Sequence, residues 1–423
     1  MEALKKTYDV IVAGSGPGGA TVARELSQKG KKVLILEWGN NSPIKGTMLQ
    51  TMTMVGVPGK SLFVTNKKMH ILFRGITTGG SSVFYCGTAF DPPFEMLKSH
   101  GIDIKEEVEE LKQEIPIKPL SDELMGPMAK RIRASALDLS YDWKKINKFI
   151  LQDKCKTDCW RCSYGCPYEA KWNARFFVEE AVKNGATLVN GAKVKKVLIE
   201  GNTATGVEFK KHHRKYQVYA PKVIIASGGL GSPAILRESG VRNCGYDFFV
   251  DPLVLATGSV KDIKKGRELQ MVAGMHVDGE YVMTDLAYPR LPRLSIMVKI
   301  KDDLGGRITK RGGCRKDLTK RDYQKLQNGY ERAKKILVNA GAKRVVKSII
   351  CAAHPGGTVK IGEAVNSNLK TTYENLYVCD CSVIPEAWGL PPTLTILGLG
   401  KRLSKHLLNE KFSDQIFRHR MSD

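Results

Sequence analysis

Four cysteines lie within twelve residues, in the spacing Cys155-x3-Cys159-x2-Cys162-x3-Cys166, and Pro167 follows directly. A bacterial ferredoxin loop has the spacing C-x2-C-x2-C-x3-C-P, because closely spaced thiolates let one short loop hold an iron–sulfur cluster. This run differs from that pattern by one residue in its first gap. Structural zinc and a loop of reduced cysteines without a cofactor are the alternatives, but zinc usually takes two Cys pairs separated by a long spacer. We predict that these thiols hold a cluster, and such a cluster would transfer single electrons.

A second group of residues predicts a dinucleotide site. Residues 8–13 form a short apolar strand, and the glycine motif Gly14-x-Gly16-x-x-Gly19 follows it directly. A helical pattern comes next, and then a second apolar strand that ends at Glu37. In this context Gly14 permits a tight turn, Gly16 lets the backbone approach a pyrophosphate, and Gly19 lets helix and strand pack closely. Glu37 is placed to accept hydrogen bonds from a ribose, which fits FAD and NAD equally well.

Length and cysteine content limit the number of domains, the cellular location and the state of the thiols that we expect. The chain has 423 residues, enough for a large core and two domains. No apolar run reaches the length of a membrane span, and the first strand begins by Tyr8, so we expect neither a membrane helix nor a signal peptide. We therefore expect a cytoplasmic, soluble protein. Ten cysteines in such a chain favour reduced thiols or metal ligands over disulfides.

The formal net charge is +24. Its basic residues fall in short patches, namely His212-His213-Arg214-Lys215, Lys310-Arg311, Arg315-Lys316, Lys320-Arg321, Lys343-Arg344 and Lys401-Arg402. A solvated surface explains such patches, and attraction to an acidic redox partner or a peripheral contact with an anionic membrane is the functional alternative. We do not expect a nucleic-acid partner, because no recognised binding module accompanies the charge.

The remaining chain alternates helical and strand patterns. Thr78, Gly79, Gly80, Ser81 and Ser82 form a second glycine–serine loop, which can wrap a pyrophosphate, press against an isoalloxazine ring or be an ordinary surface turn. Apolar periodicity predicts helices over about 104–115, 122–137, 170–183 and 322–339. Residues 193–200, 203–209 and 216–220 predict a three-stranded meander, and 222–226 another buried strand. Short alternating segments from about 244 to 308 suggest the sheet of a second domain.

Four separated blocks resemble the glucose–methanol–choline (GMC) family of FAD-dependent oxidoreductases. They are Gly14 to Gly19 with Glu37; Gly79 to Ser82; Ala226 to Leu236 followed by Ser239-Gly240-Val241; and His354 to Thr358 with Asn375 to Asp380 and Pro391 to Ile396. The resemblance implies an α/β fold, with a Rossmann-like FAD-binding domain and a second, α+β substrate domain that contains a mixed sheet. We place the FAD domain at 1–100, 170–243 and 351–412, and the substrate domain with the cysteine loop at 101–169 and 244–350.

The resemblance also assigns cofactor residues. It places the backbone of Val194 against the adenine and Asp380 near the ribityl–pyrophosphate region, and it adds Thr78, Pro392 and Thr393 to the FAD site. The flavin is expected to be noncovalent, because no histidine lies within Gly79 to Tyr85, where some relatives attach it. The segment Cys162-x3-Cys166-Pro167-x-x-Ala170-Lys171 resembles a region that holds clusters in some GMC dehydrogenases. Four ligands imply [4Fe–4S], and loss of Cys155 as a ligand implies [3Fe–4S].

For the reaction, the resemblance aligns His354 with the family's catalytic base. The family's second His or Asn falls on Pro391, which has no side-chain donor, and Glu386 or Tyr85 is a candidate substitute. We expect hydride transfer from a small-molecule alcohol, sugar or polyol to flavin, with electrons leaving through the cluster to an acceptor protein or quinone. The alternatives are a flavin reductase of an unsaturated or isoprenoid substrate fed by ferredoxin, and an electron-transfer subunit without its own substrate.

Overall fold

The computed structural model of the protein describes residues 7–263, 267–287, 292–309 and 312–410. The basic pair Lys310-Arg311 lies outside these ranges. The helices are α1 (Pro17–Gln28), α2 (Met48–Val55), α3 (Phe94–Ser99), α4 (Lys105–Glu114), α5 (Pro127–Asp138), α6 (Arg175–Lys183), α7 (Gly228–Glu238), α8 (Lys320–Asn339) and α9 (Thr393–Asn409). None of these helices is both long enough and apolar enough to cross a membrane.

The strands follow in chain order. They are β1 (Val10–Ala13), β2 (Val33–Glu37), β3 (Leu62–Val64), β4 (Ile71–Phe73), β5 (Ile117–Pro119), β6 (Lys144–Lys145), β7 (Asn147–Phe149), β8 (Thr187–Asn190), β9 (Lys193–Glu200), β10 (Thr203–Lys211), β11 (Arg214–Tyr219), β12 (Lys222–Ile225), β13 (Tyr246–Phe248), β14 (Leu253–Ser259), β15 (Ala273–Val277), β16 (Tyr281–Asp285), β17 (Arg293–Ile300), β18 (Gly305–Ile308), β19 (Cys314–Arg315), β20 (Lys343–Lys347), β21 (Cys351–Ala352) and β22 (Leu376–Val378).

A parallel sheet carries the first glycine motif. Its strand order is β22-β12-β1-β2-β8, and every neighbouring pair is parallel. β1, β2, β12 and β22 are buried along their whole length, which explains why they appear in the sequence as short apolar runs. α1 packs against α6 and α9. The predicted Rossmann-like arrangement is confirmed, and β9 to β11 form the predicted antiparallel meander.

A nine-stranded sheet forms the second layer. Its order is β3-β4-β21-β14-β17-β16-β15-β6, with β20 paired to β14, and it is mixed because β21 and β4 are parallel while the other pairs are antiparallel. α8 begins at the side chain of Thr319, which forms a capping box with Asp322, and packs across β14 and β17. A Cβ at Gly329 of α8 would lie 2.4 Å from a methyl carbon of Val298, so helix and sheet are in close contact.

Two predicted helices begin later than expected. The pattern from Ala170 becomes helical only at Arg175, because Lys171 forms a bridge with Ile150 and the Trp172 N–H donates to Phe149. The pattern from 122 becomes helical at Pro127, since proline is favoured in the first turn of a helix. The limits of the two domains remain a prediction.

Candidate functional site

The turn between β1 and α1 brings the first glycine motif to the carboxyl edge of the parallel sheet. Gly14 has φ +115°, and a Cβ added there would lie 2.2 Å from the carbonyl oxygen of Ala226. A Cβ at Gly19 would lie 2.2 Å from the carbonyl oxygen of Gly14. Gly16 differs, because no atom lies within 4 Å of its Cβ position. The space beside Gly16 is therefore open to a ligand and faces the free N–H groups at the start of α1.

We expect Gly16→Val to abolish dinucleotide binding while the protein still folds. Gly16 has φ −67°, which any residue adopts, and the valine side chain would fill only the open space. Gly19→Val is the matched variant, because its side chain would collide with backbone and destabilise the fold. Titration of the apoprotein with FAD should show an affinity loss of about 100-fold or more for Gly16→Val. Thermal unfolding should show a normal melting temperature for Gly16→Val and a lowered one for Gly19→Val. Normal FAD affinity in Gly16→Val would contradict the assignment of Gly16 to the cofactor site.

Glu37 ends β2 as a buried carboxylate that is already hydrogen-bonded. It accepts from the Ser15 N–H (3.1 Å), the Ser15 hydroxyl (2.6 Å) and the Gly39 N–H (2.6 Å). Burial raises the pKa of Glu37, and these hydrogen bonds lower it. A carboxylate accepts about four hydrogen bonds, so Glu37 retains capacity for a ribose hydroxyl.

The Thr78 to Ser82 loop lies directly against the first glycine motif. The Gly79 N–H donates to the Ser15 hydroxyl (3.2 Å), and a Cβ at Gly80 would lie 3.1 Å from the Gly16 Cα. Both Gly79 (φ +86°) and Gly80 (φ +58°) have the left-handed conformation that favours glycine. The Arg175 side chain fixes this loop by donating to the Thr78 carbonyl (3.0 Å). The structure thus brings together the two loops that the sequence predicts to bind the cofactor.

The remaining side chains of Thr78 to Ser82 bond within the protein. The Thr78 hydroxyl accepts from Asn190 (2.9 Å), and the Ser81 hydroxyl accepts from the Gly75 N–H (2.9 Å). The Ser82 hydroxyl donates to the Gly79 carbonyl (2.6 Å) and accepts from the Ala174 N–H (3.0 Å). These contacts make the loop rigid and leave its backbone as the surface available to a ligand.

Asp380 closes the other side of the open space. This buried carboxylate accepts from the Gly228 N–H (2.8 Å), the Ser382 N–H (2.8 Å) and the Ser232 hydroxyl. Burial raises its pKa. A Cβ at Gly18 would lie 1.9 Å from the carbonyl oxygen of Cys379, so the turn that carries Asp380 touches α1.

The remaining predicted cofactor residues are Val194, Pro392 and Thr393. Val194 is a buried residue near the start of β9, and the ammonium of its neighbour Lys193 lies 3.9 Å from the centre of the Trp38 ring, one residue beyond Glu37. Thr393 is buried in the first turn of α9, and Pro392 is the capping residue before it.

Two buried hydroxyls in this region support the fit to a polar cofactor. The side-chain oxygens of Ser382 and Thr395 have no hydrogen-bond partner among the described residues. Buried polar atoms are normally paired, so these two indicate a ligand with polar groups. Together with the open space at Gly16 and the retained capacity of Glu37, they make a site that fits FAD.

His354 lies beside a buried ion pair. Its Nδ1 is 3.2 Å from Oδ2 of Asp251 and 3.4 Å from Nζ of Lys299. The same Asp251 oxygen is 3.1 Å from the Lys299 ammonium. Burial lowers the pKa of His354, and Lys299 lowers it further, whereas Asp251 raises it. The ring is therefore largely neutral at pH 7, with one nitrogen directed at a carboxylate.

The segment after His354 joins this group to the cofactor region. A Cβ at Gly229 would lie 1.9 Å from the Pro355 carbonyl oxygen, and the Gly357 N–H donates to the Cys381 carbonyl (3.1 Å). Gly229 belongs to α7, whose first N–H donates to Asp380. His354 is thus adjacent to the turn of Asp380, as expected for a base that acts beside the cofactor.

No sequence pattern pointed to Asp251 or Lys299, and the candidates beside the base were Tyr85 and Glu386. Tyr85 is partly buried and its hydroxyl donates to the Trp172 carbonyl (2.8 Å), while Glu386 is exposed and pairs with His100 (3.1 Å). Neither contacts His354 among the described contacts. Asp251 has an unusual conformation for a non-glycine residue (φ +50°), held because its N–H donates to Asp302 (2.9 Å). No sequence pattern marks such a contact, since 103 residues separate Asp251 from His354.

The four clustered cysteines form a turn-rich loop. Cys159 and Cys162 are buried, and Cys155 and Cys166 are partly exposed. Burial raises the pKa of Cys155 to about 12, and the charges of the other three thiolates raise it as well, so the four lie near one another. However, no three Cys, His, Asp or Glu side chains in the described part of the chain converge closely enough to hold one metal ion. The predicted metal site at these cysteines is therefore not confirmed.

Two buried lysines flank the cysteine loop. Lys148 and Lys171 are 0 % and 1 % exposed, and neither forms an ion pair with a carboxylate of the described residues. Their ammonium groups donate instead to six carbonyl oxygens, those of Cys86, Gln270 and Met271 for Lys148, and of Val83, Tyr85 and Cys162 for Lys171. Burial lowers the pKa of Lys171 to about 8, and the thiols of Cys162, Cys166 and Cys86 raise it. Sequence spacing did not identify this group of charges.

Comparisons with known proteins agree with the fold. An uncharacterized protein of Methanocaldococcus jannaschii is 26% identical over 95% of this chain and 100% of its own length. A long-chain-alcohol oxidase of Arabidopsis thaliana is 24% identical over 93% of this chain and 67% of its own. The structure resembles that of pyridoxine 4-oxidase from Mesorbium loti, with a TM-score of 0.78, 16% identity, and coverage of 96% of this chain and 100% of that one.

Two family models also match the chain. The amino-terminal GMC oxidoreductase model matches residues 8–253, and the carboxyl-terminal GMC oxidoreductase model matches residues 314–400. The first match alone contains both glycine loops, Glu37 and the cysteine loop, and the second contains His354 and Asp380. The resemblance drawn from the four sequence blocks is confirmed: the chain belongs to the GMC oxidoreductase family.

Proposed function

We propose that this protein uses FAD to oxidise an alcohol, sugar or polyol, and that the electrons leave through an iron–sulfur cluster to an acceptor protein or quinone. The observation that carries the oxidation is the His354 imidazole, held on one side by the buried carboxylate of Asp251 next to the proposed FAD site. The match to a long-chain-alcohol oxidase supports an alcohol as the substrate class.

FAD supplies a ring that accepts hydride when it is bound. The start of α1, the Thr78 to Ser82 loop and Glu37 would hold its pyrophosphate and ribose, and Val194, Asp380 and Thr393 extend the site in both directions. The backbone N–H groups at the start of α1 favour the negative charge of the pyrophosphate. The absence of histidine between Gly79 and Tyr85 supports noncovalent binding.

His354 has the chemistry of a general base. We assign the Nδ1 proton to the hydrogen bond with Asp251, so that the lone pair of Nε2 faces away from the ion pair. Nε2 then takes the hydroxyl proton of the substrate while hydride leaves its carbon. Lys299 pairs with Asp251 at 3.1 Å and, by lowering the pKa of His354, disfavours premature protonation of the ring. Asp251 is in this scheme a positioning residue.

The proposal of a cluster rests on the positive charge of the buried lysines beside the cysteine loop. The carboxylate of Asp285 lies in the electrostatic surroundings of Lys148, whereas the groups that raise the pKa of the buried Lys171 ammonium are the thiols of Cys162, Cys166 and Cys86. Negative charge at these cysteines would therefore stabilise Lys171. A cluster held by four thiolates is anionic and would supply single-electron transfer when bound. The backbone N–H donors to Cys159 Sγ (3.5 Å) and Cys166 Sγ (3.4 Å) are also of the kind that tunes such clusters.

Anaerobic purification followed by analysis of FAD, iron and acid-labile sulfide tests both parts. We expect about one FAD and about four irons per chain, and bleaching of the flavin absorbance by at least one alcohol of a panel that includes long-chain alcohols. Cys162→Ser should lose the iron, whereas Cys351→Ser, a partly exposed cysteine elsewhere, should keep it. If alcohol bleached the flavin of a protein that contained no iron, the cluster would be refuted and the alcohol oxidation would stand. Iron-loaded protein whose flavin no alcohol reduces would refute the oxidation.

A further inference from the structure

Helix α2 exposes an apolar face. Met48, Leu49 and Met52 are 58%, 80% and 50% exposed, while Thr51 and Met54 on the opposite face are buried. At 100° per residue the three exposed side chains lie within an arc of about 100° on the helix. A water-exposed helix normally places polar residues on that face, so this face is suited to contact something apolar.

The exposed apolar residues concentrate in the chain segment that contains this helix. Fourteen large apolar side chains are exposed in the described part of the chain, and six of them lie between residues 48 and 69. Besides the three on α2, these are Val57, Val64 and Met69. Single exposed apolar residues are common, but a concentration of this kind marks an interaction surface.

The charges of the same segment have only one sign. No Asp or Glu occurs between Glu37 and Asp91, whereas Lys45, Lys60, Lys67, Lys68 and Arg74 do. Lys45, Lys67 and Lys68 are exposed. α2 itself has no charged residue, and the lysines lie before and after it in the chain. An exposed apolar helix face with flanking lysines and no carboxylate in the segment suits a lipid–water interface.

We propose that α2 docks this protein on the surface of an anionic lipid membrane. The apolar face would enter the boundary of the acyl chains, and the lysines would lie among the anionic headgroups. A second copy of the chain is a poorer occupant, because two carboxylate-free basic segments would face each other in a protein of net charge +24. The proposal does not depend on the reaction assigned above.

The docked face would lie next to the proposed cofactor loops. The carbonyl of Met54 accepts from the Ile76 N–H (3.1 Å), which precedes the Thr78 to Ser82 loop. A Cβ at Gly46, just before α2, would lie 2.5 Å from the Pro167 ring, which follows the cysteine loop. Membrane docking would therefore place both loops near a lipid phase that dissolves apolar substrates and quinones.

Flotation with vesicles tests the docking directly. The full-length, FAD-loaded protein is mixed with vesicles of phosphatidylcholine alone or of phosphatidylcholine with phosphatidylglycerol. We expect binding to the anionic vesicles, weakened by salt, and a loss of about tenfold or more in Leu49→Asp. Leu137→Asp is the matched control, because Leu137 is 45% exposed on α5. This control should bind as the unmodified protein does.

Three results would overturn the proposal. They are no binding to anionic vesicles, equal binding by the two Asp variants, and light scattering that shows a dimer which only Leu49→Asp dissociates. The last result would identify a second copy as the occupant. Flavin reduction by alcohol, measured without vesicles, should be unchanged in Leu49→Asp, so a failure of docking and a failure of the proposed reaction are distinguishable.

Discussion

His354→Asn is expected to slow flavin reduction by the alcohol substrate about 10²- to 10⁴-fold, the range for loss of a general base. Asparagine keeps a polar group of similar size but cannot accept the hydroxyl proton. Because His354 lies beside the cofactor region and donates no side-chain bond to it among the described contacts, FAD should remain bound. Anaerobic stopped-flow measurement of flavin absorbance gives the rate directly.

His213→Asn is the control for this variant. His213 is exposed in the turn between β10 and β11, which belong to a different sheet from the strand of Lys299, and its replacement should leave the rate unchanged. A His354→Asn rate within a factor of about three of the unmodified protein would rule out His354 as the base.

The pH dependence has a defined direction. Since the pKa of His354 is lowered from 6.5, the ring is neutral at pH 7, and the rate should fall only as the pH drops through that lowered value. Asp251 is the group that raises this pKa. In Asp251→Asn the acid limb should therefore move to lower pH while the plateau falls, because the imidazole loses its fixed orientation. If the maximal rate fell but the acid limb of the pH profile did not move, the role of Asp251 would be purely structural.

Lys171→Met is expected to lower the free energy of unfolding by about 3–5 kcal/mol. The ammonium donates to the carbonyls of Val83, Tyr85 and Cys162 at 2.7–2.8 Å, and methionine fills the volume without donating to any of them. Each buried carbonyl left without a donor costs about 1–3 kcal/mol, partly offset by the apolar burial of methionine.

Urea unfolding followed by circular dichroism measures this change. Lys144→Met is the control, because the Lys144 side chain is 75% exposed and its loss should cost less than about 0.5 kcal/mol. If Lys171→Met were as stable as the control, the hydrogen bonds of Lys171 would make no net contribution to the free energy of unfolding. The iron content of the same variant shows in addition whether the positive charge of Lys171 supports the proposed cluster.

Local patterns in the sequence were sufficient to predict the parallel sheet and the glycine turn of the cofactor-binding half of the fold. Val10 to Ala13, Val33 to Glu37 and Lys222 to Ile225 are strands buried on both faces, and such strands must be apolar runs whatever surrounds them. Glycine is required at position 19 because the backbone of Gly14 is in contact there, and at position 14 because the backbone of Ala226 is. Apolar runs and glycine spacing can be recognised in the sequence without knowledge of the distant contacts.

The surroundings of His354 and of the cysteines depend on contacts that no spacing shows. Lys299 lies in β17 and Lys148 in β7, and in the sequence a lysine in a strand is normally taken as solvent-exposed. Both are buried here because carbonyls or a carboxylate from distant segments surround the ammonium group. The candidates for the family's second His or Asn were Tyr85 and Glu386; their described partners are Trp172 and His100, and their role stays a prediction.

The strand order of the parallel sheet has a consequence for how the chain acquires its structure. β1 and β2 come from the first forty residues, β8 and β12 from the middle of the chain, and the edge strand β22 from Leu376–Val378. A ribosome must therefore synthesise most of the polypeptide before the sheet and the Asp380 turn beside it can be completed. Pairings of such long sequence separation form slowly, so the first glycine loop gains the neighbouring Asp380 turn only at a late stage of folding.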